Sequence, residues 1–150
     1  MVQLIIAAVV VAAAIGLGLV LRRQQRVDSP TQVSHHVPTQ LDRRDFPESS
    51  TPWLVAVFSS ATCATCADVV RKALVMRSSE VAVCEVEYIA DRDLHDRYSI
   101  AAVPIVVVAD SDGVVRAAFT GPVSATDLWA AVAEARQPGT SPEPGLGTLD

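Results

Sequence analysis

The chain has 150 residues, half of them hydrophobic, a formal net charge of −5 and three cysteines. The acidic balance argues against a nucleic-acid partner, because phosphate binding needs a basic surface and the only basic cluster is Arg22, Arg23 and Arg26. An odd number of cysteines suits one reactive pair and one buried thiol in a reducing compartment better than a disulfide-stapled secreted scaffold.

The first predicted element is apolar all round. From Leu4 to Leu21 no side chain is charged or strongly polar. Eighteen helical residues span roughly 27 Å, close to the thickness of a bilayer's hydrocarbon core. No Lys or Arg precedes the run, and it is long for the apolar part of a secretory leader. Residues 2–21 therefore read as a membrane anchor, and 1–27 as a transmembrane helix with its basic flank. The three arginines after the anchor predict a single-pass protein of the cell membrane with its C-terminal part in the cytoplasm. Residues 28–51 read as a flexible linker. They are polar, with Pro30, Pro38 and Pro47, and with His35-His36 solvated. Within the linker, Thr39 to Phe46 could add an edge strand or a short helix to the domain that follows. Residues 137–150, rich in proline and glycine, read as a disordered tail.

Residues 52–136 alternate as one α/β domain, with Pro52 and Trp53 at its entrance. Trp53 to Ser59 is strand-like and apolar on both faces. Ala67 to Arg77 is helix-like, with Cys66, Val69, Val70, Ala73 and Leu74 on one side and Asp68, Arg71 and Lys72 on the other. Val81 to Tyr88 is a second strand, on which Cys84 reads as a buried, inert thiol. Glu85 and Glu87 share that strand's other face, at a solvated edge or, for Glu85, near Cys66 as a base. Asp91 to Tyr98 is a short charged helix on which His95 has no visible partner. Pro104 to Ala109 is a third strand. Asp110 to Gly113 makes a turn, since no glutamate closes it as a calcium loop. Val114 to Thr120 returns antiparallel. Ser124 and Asp127 cap a last helix on which Leu128, Val132 and Ala135 share a face and Trp129 packs. The pattern predicts three parallel strands and a closing hairpin, ordered 81–88, 53–59, 104–109 and 114–120.

The chemistry lies where the first strand turns into a helix. Cys63-Ala64-Thr65-Cys66 can close a small disulfide ring there, with the first sulfur exposed at a helix N-terminus and the second against the core. Zinc would need four ligands, usually from a second pair, and Cys84, His35, His36 and His95 supply no such pair.

Three segments carry a resemblance. Phe58-Ser59-Ser60-Ala61-Thr62-Cys63-Ala64-Thr65-Cys66 resembles the strand, loop and cysteine pair of the thioredoxin family. Ile100-Ala101-Ala102-Val103-Pro104-Ile105 resembles its cis-proline segment. Asp112-Gly113-Val114-Val115 with Phe119-Thr120-Gly121 resembles its closing hairpin. The set is similar to membrane-tethered thioredoxin-like proteins of bacteria. The resemblance implies a thioredoxin-like fold, a central mixed sheet of four or five strands flanked by helices, here preceded by the transmembrane helix. It implies that Cys63 attacks, that Cys66 resolves, and that Val103 and cis Pro104, with Thr62, bind a substrate chain. No cofactor is implied beyond the redox-active Cys63–Cys66 disulfide. The implied partners are a protein disulfide or dithiol, and an electron donor or acceptor that the sequence does not identify. Cytoplasmic placement favours a reductase.

The chain also departs from the family. Thr62 replaces a Trp, Ala64-Thr65 replaces Gly-Pro, Val57 replaces a buried Asp, and Glu85 stands for a Lys. Val57 and the negative charge of Asp68 predict a weakly activated Cys63. The departures also keep open a second reading, a thioredoxin-fold binding or assembly module with little turnover, and a minor third, metal handling by Cys63 and Cys66.

Overall fold

Val and Phe at alternate positions make the first strand a two-faced element, because successive side chains of a strand point to opposite sides. In the computed structural model, which describes residues 35–139, this strand, β1 (Trp53–Ser59), is central and buried. Val55 and Val57 enter one core, and Leu54, Ala56 and Phe58 enter the other. β1 is joined by β2 (Val81–Glu87), β3 (Ile105–Ala109) and β4 (Val115–Thr120) in a four-stranded sheet of order β2-β1-β3-β4. One face is covered by α1 (Cys66–Leu74) and α3 (Ala125–Arg136), which bring Val69, Ala73, Leu128, Ala131 and Val132 onto Val55 and Val57. The other face is covered by α2 (Arg92–Arg97) and by residues 41–46, which contain a 3-10 helix (Arg43–Asp45). Each large aliphatic or aromatic side chain so buried contributes roughly 1.5–3 kcal/mol. The N-cap expected at Ser124 is present: its side chain accepts from the Asp127 N–H.

The spatial order agrees with the sequence reading, but one strand direction does not. β1 and β2 are parallel, whereas β3 runs antiparallel to β1. A parallel crossover must carry the chain back along the whole sheet. Residues 88–104, with the short α2, do not: the chain re-enters the sheet at the end where β2 left it. As a result, β3 starts opposite the end of β1, with Ile105 paired to Phe58.

Other expectations need correction. Part of the segment read as linker belongs to the domain, since Leu41 and Phe46 are core residues. Leu41 N–H donates to the Gly113 carbonyl, and Gln40 bridges Val114. Gly113 has φ +79°, and a Cβ there would lie 2.0 Å from the Leu41 oxygen, so glycine permits the approach. α1 ends at Leu74 rather than Arg77, and Leu74, whose spacing puts it with the apolar side, is 47% exposed. Trp129, expected to pack, is 51% exposed on the outer side of α3. Cys84 is half-buried, because β2 is an edge strand.

Local contacts fill carbonyls along that edge. Ser78 N–H donates to the Val81 carbonyl, the Arg77 guanidinium to that of Val83, the Cys84 thiol to that of Glu85, and Asp91 N–H to that of Glu87. Among the described residues no helix is long and apolar enough to cross a membrane. The predicted anchor, its basic flank and the tail from residue 140 lie outside the described residues.

Candidate active site

β1 delivers the chain to one end of the sheet, and α1 takes it back across the Val55/Val57 face. The intervening loop, residues 60–65, has only small side chains. Cys63 and Cys66 are joined there by a disulfide, with Cα atoms 5.4 Å apart. The two sulfurs sit in different surroundings. Cys63 is half-buried, while Cys66, the first residue of α1, is 2% exposed. The Cys66 N–H donates to Cys63 Sγ at 3.2 Å. The Thr65 hydroxyl, at the helix N-cap position, makes no cap bond and instead lies 3.7 Å from Cys63 Sγ. A sulfur placed before the first turn meets free N–H donors and the positive end of the helix, both of which favour a thiolate.

Behind the pair, Val57 is fully buried, and its register partners are Glu85 on β2 and Val106 on β3. The buried Ser59 hydroxyl donates to Glu85 Oε1 at 2.6 Å, and Glu85 is otherwise exposed at the sheet edge. Asp68, expected to oppose thiolate formation, is neutralised within its own helix. Its oxygens lie 2.6 Å from both Arg71 and Lys72, and the hydrogen bonds from Lys72 and then Arg71 hold its carboxyl below the usual carboxylate range. The Cys84 thiol is pushed up, first by burial and then by the charge of Asp91, so it is the less reactive kind of cysteine.

The Val103–Pro104 peptide bond is cis. Val103 is half-buried and Pro104 buried, directly before β3 and so at the same end of the sheet as Ser59 and the cysteine loop. Gly121 N–H donates to the Pro104 carbonyl at 2.8 Å, tying the segment to the end of β4. Thr62 is exposed, with its hydroxyl 3.1 Å from that of Ser60.

Two residues at this end were not legible in the sequence. His95, expected to lack a partner, is 1% exposed, with Nε2 2.9 Å from the Val86 carbonyl and its ring edge-on to Phe58 and Tyr88. Glu87, read only as an edge residue, accepts backbone hydrogen bonds from Ala61, Ile89 and Ala90. Its only sequence signal was a carboxylate at the end of a strand that faces the cysteine loop.

With a parallel pair, two antiparallel additions and a disulfide at the β1–α1 junction, the arrangement can be compared with solved structures. The fold is that of the thioredoxins. A thioredoxin from Halobacterium salinarum NRC-1, in a single-site mutant form, is 20% identical with a TM-score of 0.53, over 66% of this chain and 88% of its own. Fasciola hepatica thioredoxin is 24% identical with a TM-score of 0.50, over 59% of this chain and 85% of its own. Chloroplastic thioredoxin z is 18% identical with a TM-score of 0.52, over 59% of this chain and 81% of its own. No protein-family model matches the chain, and neither does any curated protein.

Proposed function

We propose that this protein is a membrane-anchored thiol–disulfide oxidoreductase that reduces protein disulfides. The observation that carries the reading is the Cys63–Cys66 disulfide at a helix N-terminus, one sulfur accessible and the other buried. In the reduced protein the Cys63 thiolate attacks one sulfur of a client disulfide, and the client's other sulfur leaves as a thiolate. Cys66, deprotonated, then attacks Cys63 Sγ, releases the second client thiolate and forms the intramolecular disulfide. Two electrons pass from the domain to the client, and an external dithiol restores the pair. Val103 offers its backbone to the client chain beside cis Pro104, and Thr62 lines the approach. Residues 2–21 hold the domain at the cell membrane on its cytoplasmic side, raising the effective concentration of clients there.

Cys66→Ser tests the reading. Removing the resolving sulfur leaves the client bound to Cys63, so the variant accumulates mixed disulfides in cells that dithiothreitol releases, while the wild type does not. The absence of any trapped client, together with no insulin reduction by the wild type, would replace the enzyme with a thioredoxin-fold binding module.

A further inference from the structure

Side-chain packing does little to hold the loop that carries Cys63. Ala61, Thr62, Ala64 and Thr65 are exposed, and none of them has a large side chain to pack. Its internal bonds are a turn closed by Cys63 N–H to the Ser60 carbonyl at 3.0 Å and the Ser60–Thr62 contacts. Its far end is held to α1 by the Cys63–Cys66 disulfide and by Cys66 N–H, which donates to Cys63. Its near end is tied by β2. Glu87 is the last residue of that strand and the register partner of Ser59, so its side chain arises where the chain leaves β1 for the loop. One carboxylate oxygen accepts from Ala61 N–H at 3.0 Å. The other accepts from Ile89 N–H at 2.8 Å and Ala90 N–H at 3.0 Å. The backbone of Glu87 is itself fixed: its N–H donates to Asp91 Oδ2 at 3.1 Å, and its carbonyl accepts from Asp91 N–H at 2.8 Å. One anion therefore joins two exposed segments.

We propose that Glu87 is a positioning residue for Cys63, clamping the nucleophile's loop to the Tyr88–Ala90 turn so that a polypeptide client meets one preformed surface. The proposal rests on the exchange reading above. It assigns Glu87 no part in the sulfur chemistry. A small disulfide reagent needs only the Cys63 sulfur. A protein client must also dock across the loop and the turn, and must hold still while Cys66 attacks in line. Loosening the clamp therefore penalises large clients and spares small ones. Charge-assisted bonds to backbone donors suit the role, since they are short and directional. They also hold the Glu87 carboxyl below its ordinary range, the Ala90 N–H most and the Ala61 N–H next.

Two measurements on the full chain test it. In the first, the amide proton shifts of Ala61, Ile89 and Ala90 are followed by NMR as pH falls. They are expected to titrate together with one apparent pKa below that of an ordinary glutamate, and Glu87→Gln is expected to abolish the step. In the second, kcat/KM is measured with insulin and with an aromatic small-molecule disulfide. Glu87→Ala is expected to lose at least about tenfold on insulin and less than about twofold on the small reagent. Glu87→Gln should fall between, because a carboxamide oxygen can serve two of the three donors while its NH2 opposes the third. Independent titration of the three amides, or equal losses on both substrates, or no loss on either, would overturn the proposal. A wild type inactive on both substrates overturns the exchange reading and the positioning role with it, while the amide titration still reads the clamp itself.

Discussion

Val57→Asp would put a carboxyl where the domain has none. Val57 is 0% exposed, belongs to the core under α1, and is flanked in register by Val106 and by the carboxylate of Glu85. Losing the valine's burial and enclosing an unpaired neutral carboxyl costs about 2 kcal/mol at pH 4. Burial and the adjacent like charge both disfavour ionisation, so the new group's pKa is raised in the folded state, by about two units for a site of this kind. The folded state then holds the proton more tightly than the unfolded chain, whose Asp ionises near 3.9. That holding supports folding below the unfolded value and is lost as pH rises through the folded one. At 1.36 kcal/mol per unit the penalty grows to about 5 kcal/mol by pH 7, comparable with the whole stability of a small domain. Urea unfolding followed by circular dichroism at pH 4, 5, 6 and 7 measures it against the wild type. A penalty that stays flat with pH, or one below about 1 kcal/mol, would show that the space behind the cysteines is not the dry apolar site described above.

Two further substitutions probe the scaffold. Tyr98, 8% exposed, donates its hydroxyl to Asp45 and accepts from Asp42 N–H at 2.9 Å, so Tyr98→Phe should cost about 2 kcal/mol in urea unfolding at pH 8. Burial first, then the bond to Asp45, pushes the phenol up to about 12 from its ordinary 10. The stability it confers is thus complete below pH 10 and declines as pH rises toward 12, and the gap between wild type and variant should narrow over that range. A constant gap would refute the assignment. Arg77→Ala frees the Val83 carbonyl and removes a 3.2 Å exposed ion pair with Glu48. Stability should change by less than about 1 kcal/mol, while sedimentation should show more self-association than the wild type. An unchanged mass distribution would mean that the arginine does not guard the strand.

The strands were legible because their signal is local. β1 needed only its apolar run between Pro52 and the polar loop, and its predicted bounds, Trp53 to Ser59, are the observed ones. The direction of β3 was not legible in the same way, since it depends on the path that residues 88–104 take back to the sheet rather than on β3's composition. The cysteine pair and its helix could be read from spacing. The surroundings of His95 could not. Every residue of α2 except Leu94 is ionisable, which reads as a solvated helix, yet the ring is enclosed by Phe58 and Tyr88 from other elements. Glu87 was missed for a related reason, because its partners are main-chain donors, which every residue but proline possesses.

Proteins that meet unfolded chains run a hazard, because an unstructured polypeptide adds readily to any bare rim of a sheet. Here Gln40 lies alongside Val114 just ahead of β4, and on the β2 rim donors fill the carbonyls of Val81, Val83, Glu85 and Glu87. A neighbouring copy laid against β2 finds those acceptors already spent, which blunts that rim as a template for zipping into aggregates.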